Sequence, residues 1–223
     1  MSAKLKVAVL ASGRGSNLEA LLAAIDAGRC AAELVGVLSD RAAAPALTLA
    51  SARAIPTRTV LPRDYADRDA WDVALAASIA ELAPDLVVLA GFMRIVGSAV
   101  LARFPRRLVN VHPSLLPSFA GIDAPGQAIA AGVRISGCTV HLVDAGIDTG
   151  PVLAQAAVPV LAADDGPSLH ARIQRSEHAL LPAVVNAIAM GTLMLDPRPR
   201  YTADDALGES VLVAPPLLLH RAD

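Results

Sequence analysis

The sequence has few cysteines and few aromatic residues, and each shortage excludes a class of protein. Cys30 and Cys138 are the two cysteines among 223 residues, and neither lies in a CxxC or Cys/His spacing. We therefore expect two reduced core thiols, with no disulfide framework and no zinc site. Aromatic residues make up 3% of the chain, and no basic run is present. These shortages exclude the stacking surfaces and cationic stripes that bind nucleic acid.

Long apolar runs and an excess of one charge are also lacking. The net charge is −2 and the pI is near 6.2, a balance that offers no electrostatic footprint for nucleic acid. Hydrophobic residues make up 54% of the chain. Much of this is alanine, and no uninterrupted apolar run reaches the roughly 18–20 residues of a spanning helix. The N-terminus leads into a strand without a long apolar segment or a cleavage site. We expect a cytoplasmic protein that binds no membrane.

What the sequence does contain is a regular alternation of apolar strands and helical segments. This order is typical of an α/β protein, and 223 residues suffice for one large domain with its own core. The predicted strands cover residues 5–11, 33–39, 56–60, 85–90, 108–112, 136–143 and 152–160. The predicted helices cover residues 18–25, 46–53, 71–82, 100–104, 127–131 and 166–190.

The last two strands differ from the others because a tight loop, residues 144–151, joins them directly. Such a connection suggests an antiparallel hairpin at the edge of an otherwise parallel sheet. Residues 136–143 alternate as expected for a half-buried strand. We therefore predict a Rossmann-like α/β fold, an open and mostly parallel twisted sheet with helices on both faces. In this prediction residues 1–195 form the domain, and residues 196–223 form a loosely packed tail.

A glycine-containing loop, residues 12–17, connects the first strand to the first helix. Backbone N–H groups in such a loop, together with the helix N-terminus, can bind a phosphate. Leu18 stands where the dinucleotide fingerprint needs its third glycine, and the ending of a Walker A loop is missing. A turn that only joins strand to helix explains the loop equally well. Ser16 and Glu19 have the spacing of a helix capping box. Asp40, after the second strand, suits either a ribose hydroxyl or a polar turn.

Asn110 and His112 are the strongest candidates for chemistry. They lie two residues apart on a buried strand, so their side chains point the same way at the carboxyl end, where α/β proteins bind ligands. Pro113 and Pro117 stiffen the loop that follows. The alternative is that His112 is a structural residue at a strand end, with its ring hydrogen-bonded within the fold. The apolar loop 91–96 follows the preceding strand and carries one cation, so it suits either a pocket for a flat ligand or core packing.

Five segments, several of them already described, carry a resemblance to a known family. They are residues 11–18 (ASGRGSNL), 89–95 (LAGFMRI), 110–117 (NVHPSLLP), 137–141 (GCTVH) and 148–151 (DTGP). Together they resemble the glycinamide ribonucleotide formyltransferases, folate-dependent enzymes of purine synthesis, and the resemblance covers nearly the whole chain. The HPSLLP segment and the aspartate loop are shared by formyl-folate enzymes generally. The glycine loop ending in Ser-Asn-Leu indicates the glycinamide ribonucleotide branch.

The resemblance implies transfer of a formyl group from 10-formyltetrahydrofolate to the amine of phosphoribosylglycinamide, with no metal. Asn110 would hold the oxyanion, His112 would move the proton, and Asp148 would favour the charged form of His112. The remaining implied contacts are with the substrate phosphate (Gly15, Ser16, Asn17), with the folate (Arg68, Met93, Arg94, Ile95, Val96 and also Asn110) and with the glycinamide substrate (Glu177).

Several of these assignments have a plain alternative. Asp148 can simply shape its turn, and Arg68 and Glu177 can be solvated helix charges. Four histidines lack the acidic or cysteine neighbours of a metal site and receive no role: His141, His170, His178 and His220. The loop at residues 118–126 departs from the family pattern because it contains no histidine.

Other functions fit part of the pattern. A formyltetrahydrofolate hydrolase or a methionyl-tRNA formyltransferase would share Asn110, His112 and Asp148, but each usually has a further domain for which this length leaves no room. A nicotinamide-dependent Rossmann enzyme or a non-catalytic nucleotide-binding module would use the glycine loop and Asp40. An inactive homologue is a further alternative. The family often forms dimers, so the resemblance allows a homodimer that binds small-molecule substrates.

Overall fold

The chain folds into a seven-stranded sheet, a two-stranded hairpin and six α-helices across residues 4–202, which this computed structural model describes. The strands are β1 (Leu5–Leu10), β2 (Ala32–Ser39), β3 (Thr57–Thr59), β4 (Leu86–Leu89), β5 (Leu108–His112), β6 (Ile135–Leu142), β7 (Val152–Pro159), β8 (Leu193–Met194) and β9 (Arg200–Tyr201). The helices are α1 (Ser16–Asp26), α2 (Pro45–Ser51), α3 (Arg68–Ala80), α4 (Ser98–Arg103), α5 (Ala124–Ala130) and α6 (Gly166–Ala189).

The strand order of the large sheet, β3-β2-β1-β4-β5-β6-β7, confirms the predicted α/β fold. Strands β1 to β5 pair in parallel, whereas β6 pairs antiparallel with both β5 and β7. β7 therefore lies at the sheet edge, as predicted for the hairpin. The prediction that β6 is half-buried is wrong. β6 lies between two strands and under α6, and Ile135 is its one exposed residue.

Helices cover both faces of the sheet because its inner strands are apolar on both sides. In β1, Val7 and Val9 belong to one cluster of buried side chains, whereas Ala8 and Leu10 belong to another. The first cluster includes residues of α1 and α6, and the second includes residues of α3 and α4. Each fully buried valine or leucine side chain contributes about 1.5–3 kcal/mol to stability. This two-sided core holds in place the strand ends that carry the candidate site.

Helix α1 does not begin with the predicted capping box. Its N-cap is Gly15, whose φ of +83° is a left-handed conformation that glycine adopts without steric cost, and no side chain caps the helix. The Ser16 hydroxyl instead accepts a hydrogen bond from Nε2 of Gln174 in α6, at 2.9 Å. The capping-box prediction for Ser16 and Glu19 is therefore wrong, because a tertiary contact with α6 replaces the local one.

The end of the described region packs onto the body of the protein. Strands β8 and β9 pair antiparallel, and the Tyr201 hydroxyl donates to the Leu153 carbonyl of β7 at 3.2 Å. Residues 196–202, the first part of the predicted tail, therefore have defined contacts. The rest of that prediction concerns residues 203–223, which lie outside the described residues. Among the helices that the structure describes, none has the length and apolar character needed to cross a membrane.

Candidate active site

Three side chains that were predicted to act together meet at one end of β5. Asn110 and His112 belong to β5, and Asp148 lies in the loop between β6 and β7. Asp148 Oδ2 lies 3.3 Å from His112 Nδ1, and Asp148 Oδ1 lies 3.5 Å from Asn110 Nδ2. A single carboxylate thus contacts both of the other residues, one through each oxygen.

His112 is buried, and both of its ring nitrogens face oxygen acceptors. Nδ1 faces Asp148, and Nε2 lies 2.9 Å from the carbonyl oxygen of Phe119, in the loop that follows β5. Only the doubly protonated ring can donate to both partners at once. The arrangement therefore accommodates a charged imidazole. It also places the Phe119 carbonyl where a reacting group would have to sit to exchange a proton with Nε2.

Asp148 has an uncommon backbone conformation and a largely polar environment. Its φ is +55°, in the left-handed region that aspartate enters more readily than most residues. The Gly121 N–H donates to Asp148 Oδ2 at 2.9 Å. Burial alone raises the pKa of Asp148. Hydrogen bonds from His141 and Gly121, with the charge of His112, outweigh burial and hold that pKa below its usual range. The carboxyl group is therefore ionised at neutral pH.

His141 completes this cluster, although its sequence context indicated no chemistry. It lies on β6 directly opposite Asn110 in the antiparallel register. Its Nε2 is 3.1 Å from Asn110 Nδ2 and 3.6 Å from Asp148 Oδ1, and its Nδ1 is 2.9 Å from the Leu142 carbonyl oxygen. With Nδ1 on that carbonyl, Nε2 can accept from the Asn110 amide or, when it carries a proton, donate to Asp148. The sequence signal for this contact is weak, because strand pairing cannot be read from residue spacing.

The glycine loop and the last helix meet through polar side chains. Asn17 Nδ2 donates to Glu177 Oε2 at 2.9 Å, next to the contact between Ser16 and Gln174. Glu177 is 4% exposed, so it is not a solvated helix charge. Asn17 Oδ1 is buried and has no hydrogen-bond partner among the described residues. The structure therefore brings the predicted phosphate loop, with Gly15 at its turn, together with the residue predicted to contact the substrate.

The loop between β4 and α4 borders a cavity of about 550 Å³. The cavity is lined by apolar and aromatic side chains, two arginines and one aspartate: Pro62, Tyr65, Ala66, Asp67, Arg68, Trp71, Met93, Arg94 and Ile95. Three of the loop residues predicted to contact folate are therefore in its wall, together with Arg68. Val96 is not, since it is 3% exposed and packs in the core. Arg68 Nη2 donates to the Ile95 carbonyl at 3.3 Å, which ties helix α3 to the loop.

Asp40 is not available for a ribose hydroxyl. Its side chain is 1% exposed, and its Oδ2 accepts a hydrogen bond from Arg94 Nε at 3.1 Å. A dinucleotide-binding protein needs this acidic group free at the end of the second strand. Arg94 for its part is neither a free surface cation nor a core residue, because half of its side chain is exposed beside this ion pair.

Both cysteines are reduced core residues, as predicted. Cys30 and Cys138 are buried and free. Burial, reinforced by the nearby charge of Glu177, raises the pKa of Cys138 to about 12, and burial also raises that of Cys30. Both thiols are therefore protonated core groups. Within residues 4–202, no group of three or more His, Cys, Asp or Glu side chains is arranged to hold a metal ion.

The fold and the side-chain cluster define an α/β protein that combines a buried histidine, a carboxylate and an amide, the groups from which acid–base sites with an oxyanion donor are built. A family model described as "Formyl transferase" matches residues 5–185. The chain therefore belongs to the formyl transferase family, and the resemblance inferred from its sequence is confirmed.

Individual relatives agree with this assignment. The phosphoribosylglycinamide formyltransferase of Mycobacterium tuberculosis is 50% identical over 188 residues, which cover 84% of this chain and 86% of that protein. The trifunctional purine biosynthetic protein adenosine-3 of Homo sapiens is 40% identical over 192 residues, which cover 86% of this chain but 19% of that protein. The crystal structure of glycinamide ribonucleotide transformylase 1 from Symbiobacterium toebii superposes with a TM-score of 0.87 at 42% identity, covering 90% of this chain and 95% of that one.

Proposed function

We propose that this chain transfers the formyl group of 10-formyltetrahydrofolate to the amine of 5′-phosphoribosylglycinamide. The products are formylglycinamide ribonucleotide and tetrahydrofolate, in a step of de novo purine synthesis. The observation that carries this proposal is the contact of one carboxylate, Asp148, with both Asn110 and His112 at the end of β5. The names of the relatives, which are phosphoribosylglycinamide formyltransferases and purine biosynthetic proteins, support the same reaction.

Asn110 supplies the donor for the developing charge. The amine forms a bond to the formyl carbon, and the carbonyl oxygen takes up the electron pair and becomes an oxyanion. The Asn110 amide nitrogen lies 3.5 Å from Asp148 Oδ1 and 3.1 Å from His141 Nε2. These contacts hold the amide in place beforehand, and an N–H of the amide turns to the oxyanion when the tetrahedral intermediate forms. Donors held in place in this way stabilise the charge with little reorganisation during the reaction.

His112 moves the proton that the reaction must transfer. The attacking amine loses one proton, and the folate nitrogen that leaves the formyl carbon gains one, so a group that donates and accepts in turn returns to its initial state. A histidine suits this work near neutral pH. Asp148 orients the ring through Nδ1, which leaves Nε2 for the substrate once the Phe119 carbonyl has moved away.

The two substrates approach this cluster from different elements. The substrate phosphate lies on the turn formed by Gly15, Ser16 and Asn17, at the N-terminus of α1, where backbone N–H groups are available. Glu177, bonded to Asn17, meets the sugar or amine end of the same substrate. The folate lies along Met93 to Ile95, with its aromatic part in the cavity that Arg68 also lines.

Formyl-folate hydrolysis is the second candidate, since the same three residues could activate a water in place of the amine. The turn at Gly15, Ser16 and Asn17 and its contact with Glu177 favour the transferase, because a hydrolase has no use for a phosphate site. A nucleotide-binding module is disfavoured by Asp40, whose carboxylate is bonded to Arg94. The cytoplasmic location and the homodimer stay predictions.

The deciding experiment is an assay of formyl transfer from 10-formyltetrahydrofolate to phosphoribosylglycinamide, with His112→Ala as the test variant. We expect rapid turnover by the wild type and a loss of about 10²–10⁴ in kcat for His112→Ala, the range for a missing general acid–base. Release of formate without consumption of the amine would identify a hydrolase instead. Tight binding of a nicotinamide dinucleotide with no formyl transfer would favour the nucleotide-binding module.

A further inference from the structure

Asp40 is a buried carboxylate with a single partner among the described residues. It follows β2, and its side chain is 1% exposed. Oδ2 accepts from Arg94 Nε at 3.1 Å, whereas Oδ1 is buried without a hydrogen-bond partner in residues 4–202. A buried charge of this kind costs free energy unless a cation compensates it. The hydrogen-bond partner of this buried carboxylate among the described residues is therefore Arg94, which lies in the cavity wall.

This contact differs from the other polar contacts of the same loop. Ser12 Oγ accepts from the Met93 N–H at 2.8 Å, and the Asp72 carboxylate accepts from the Gly97 N–H at 2.6 Å. Both of those contacts fix the backbone of the loop. Asp40 instead contacts a side chain, that of Arg94. The loop backbone does not depend on this contact, because Ser12 and Asp72 already hold it. Its contribution is therefore to the orientation of the Arg94 guanidinium.

The orientation leaves the outer part of the guanidinium free. Asp40 takes Nε, while Nη1 and Nη2 have no partner among the described residues, and the side chain is 53% exposed beside the cavity. Two parallel N–H groups of a guanidinium match the two oxygens of a carboxylate, and the match depends on direction as well as charge. Asp40 offsets the charge of Arg94, so net attraction of an anion by the pair is small. The pair therefore favours a ligand chiefly through the fixed direction of the free Nη1 and Nη2 groups.

We propose that Asp40 is a positioning residue for donor binding, and that it holds Arg94 so that Nη1 and Nη2 receive a carboxylate of the glutamyl group of the formyl donor. The inference rests on the proposed function, because it takes the ligand of the cavity to be a folate. Arg94 makes the contact, and Asp40 acts only through Arg94.

The first test compares steady-state kinetics of the wild type, Asp40→Asn, Arg94→Met and the double variant. Asp40→Asn keeps the shape of the side chain but removes its charge, and we expect the KM for the donor to rise roughly tenfold, since misplaced binding groups have effects of this order or larger. The KM for phosphoribosylglycinamide and kcat stay near their wild-type values. In the Arg94→Met background, Asp40→Asn raises the donor KM no further.

A further variant and a further ligand test whether the effect depends on the paired N–H groups of Arg94 and on the glutamyl group of the donor. Arg94→Lys keeps the charge but loses the paired N–H groups, and it raises the donor KM as Asp40→Asn does. With a formyl donor that lacks the glutamyl group, all these variants have the KM of the wild type. Additive effects in the double variant, an equal rise in both KM values, or a wild-type KM for Arg94→Lys would each overturn the proposal.

Direct binding separates this proposal from the proposed function. If the wild type shows no formyl transfer, the transferase assignment fails, and calorimetric titration of the same proteins with the donor then decides on Asp40. Donor binding that weakens in Asp40→Asn, but not in the Arg94→Met background, supports the positioning role by itself. Equal affinities of the wild type and Asp40→Asn contradict it.

Discussion

His141 Nε2 lies 3.1 Å from Asn110 Nδ2, across the antiparallel pair formed by β5 and β6. His141 is 2% exposed and has its other ring nitrogen on the Leu142 carbonyl, so this contact lies inside the protein. The amide thus has a neighbour on β6 and another, Asp148, on the following loop. Two buried partners fix its direction before any substrate arrives, which is the condition for an effective oxyanion donor.

Replacing His141 should therefore lower kcat more than it changes either KM. In His141→Ala the Asn110 amide loses a buried partner and can turn away from the oxyanion, and we expect kcat to fall by about tenfold to a hundredfold, less than the 10²–10³ typical for loss of the donor itself. His170→Ala, an exposed change on α6, is the matched control and should leave kcat unchanged. A rise in KM with an unchanged kcat would mean that His141 serves binding and not the amide.

The lowered pKa of Asp148 predicts how stability depends on pH. A carboxyl group whose pKa is lower in the folded than in the unfolded state stabilises the fold above its unfolded pKa, here near 3.8. The contribution is lost as the pH falls through the still lower folded value. Asp148→Asn cannot titrate, so its unfolding free energy should decrease less between pH 7 and pH 3 than that of the wild type.

Chemical denaturation at several pH values measures this difference. Asp144→Asn, a change in the same loop at an exposed residue, serves as the control for general loop effects. Parallel stability curves for the wild type and Asp148→Asn would show that the folded protein does not favour the charged form of Asp148.

The two glycines of the phosphate loop offer a matched pair of substitutions. Gly15 has a φ of +83°, and a Cβ at this position would lie 2.9 Å from the Ala46 Cβ. At Gly13 a Cβ would meet nothing within 4 Å. Gly15→Ala should therefore lower the unfolding free energy by about 1–2 kcal/mol through left-handed strain alone. It should also raise the KM for phosphoribosylglycinamide, because the N–H groups of the turn are displaced.

Gly13→Ala should match the wild type in both measurements. Thermal unfolding and the two KM values decide the outcome. A Gly15→Ala protein that loses stability but keeps its KM for phosphoribosylglycinamide would argue against a phosphate on this turn.

The sequence predicts those parts of the site that depend on local periodicity. Asn110 and His112 share a strand, so side-chain alternation was enough to place them together. Asp148 follows them by more than thirty positions, and only the family resemblance connected it with His112. The contact between Asn17 and Glu177 joins the first helix to the last, and no local pattern encodes it.

The errors have the same physical origin. Ser16 and Glu19 have the spacing of a capping box, but Gln174 of α6 takes the Ser16 hydroxyl. Strand β6 has an alternating pattern, yet its neighbours β5 and β7 and the overlying α6 bury it. His141 had no recognisable motif, since its role depends on the register between β5 and β6. Contacts between elements distant in sequence decided each case, and such contacts override local propensity.

The hydroxyl group of Thr139 contacts two backbone groups at the start of the loop that leaves His112. The Oγ1 atom donates to the Ser114 carbonyl at 2.7 Å and accepts from the Leu116 N–H at 3.0 Å. It also accepts from Gln155 Nε2 at 3.0 Å, so its hydrogen-bonding capacity is complete. Thr139 lies opposite His112 in the register of β5 and β6 and is fully buried. It therefore fixes the start of the segment that carries the Phe119 carbonyl to His112.

Thr139→Val keeps the shape of this side chain but leaves the Leu116 N–H and the Ser114 carbonyl without their buried partner. We expect the unfolding free energy to fall by about 1–3 kcal/mol, the usual cost of such unsatisfied groups. We also expect kcat to fall, because the loop over His112 loses two of the hydrogen bonds that fix its start. Thr139→Ser keeps the hydroxyl and should restore kcat, with a loss of only about 1 kcal/mol for the missing methyl group. Equal kcat values for the valine and serine variants would show that the hydroxyl serves stability alone.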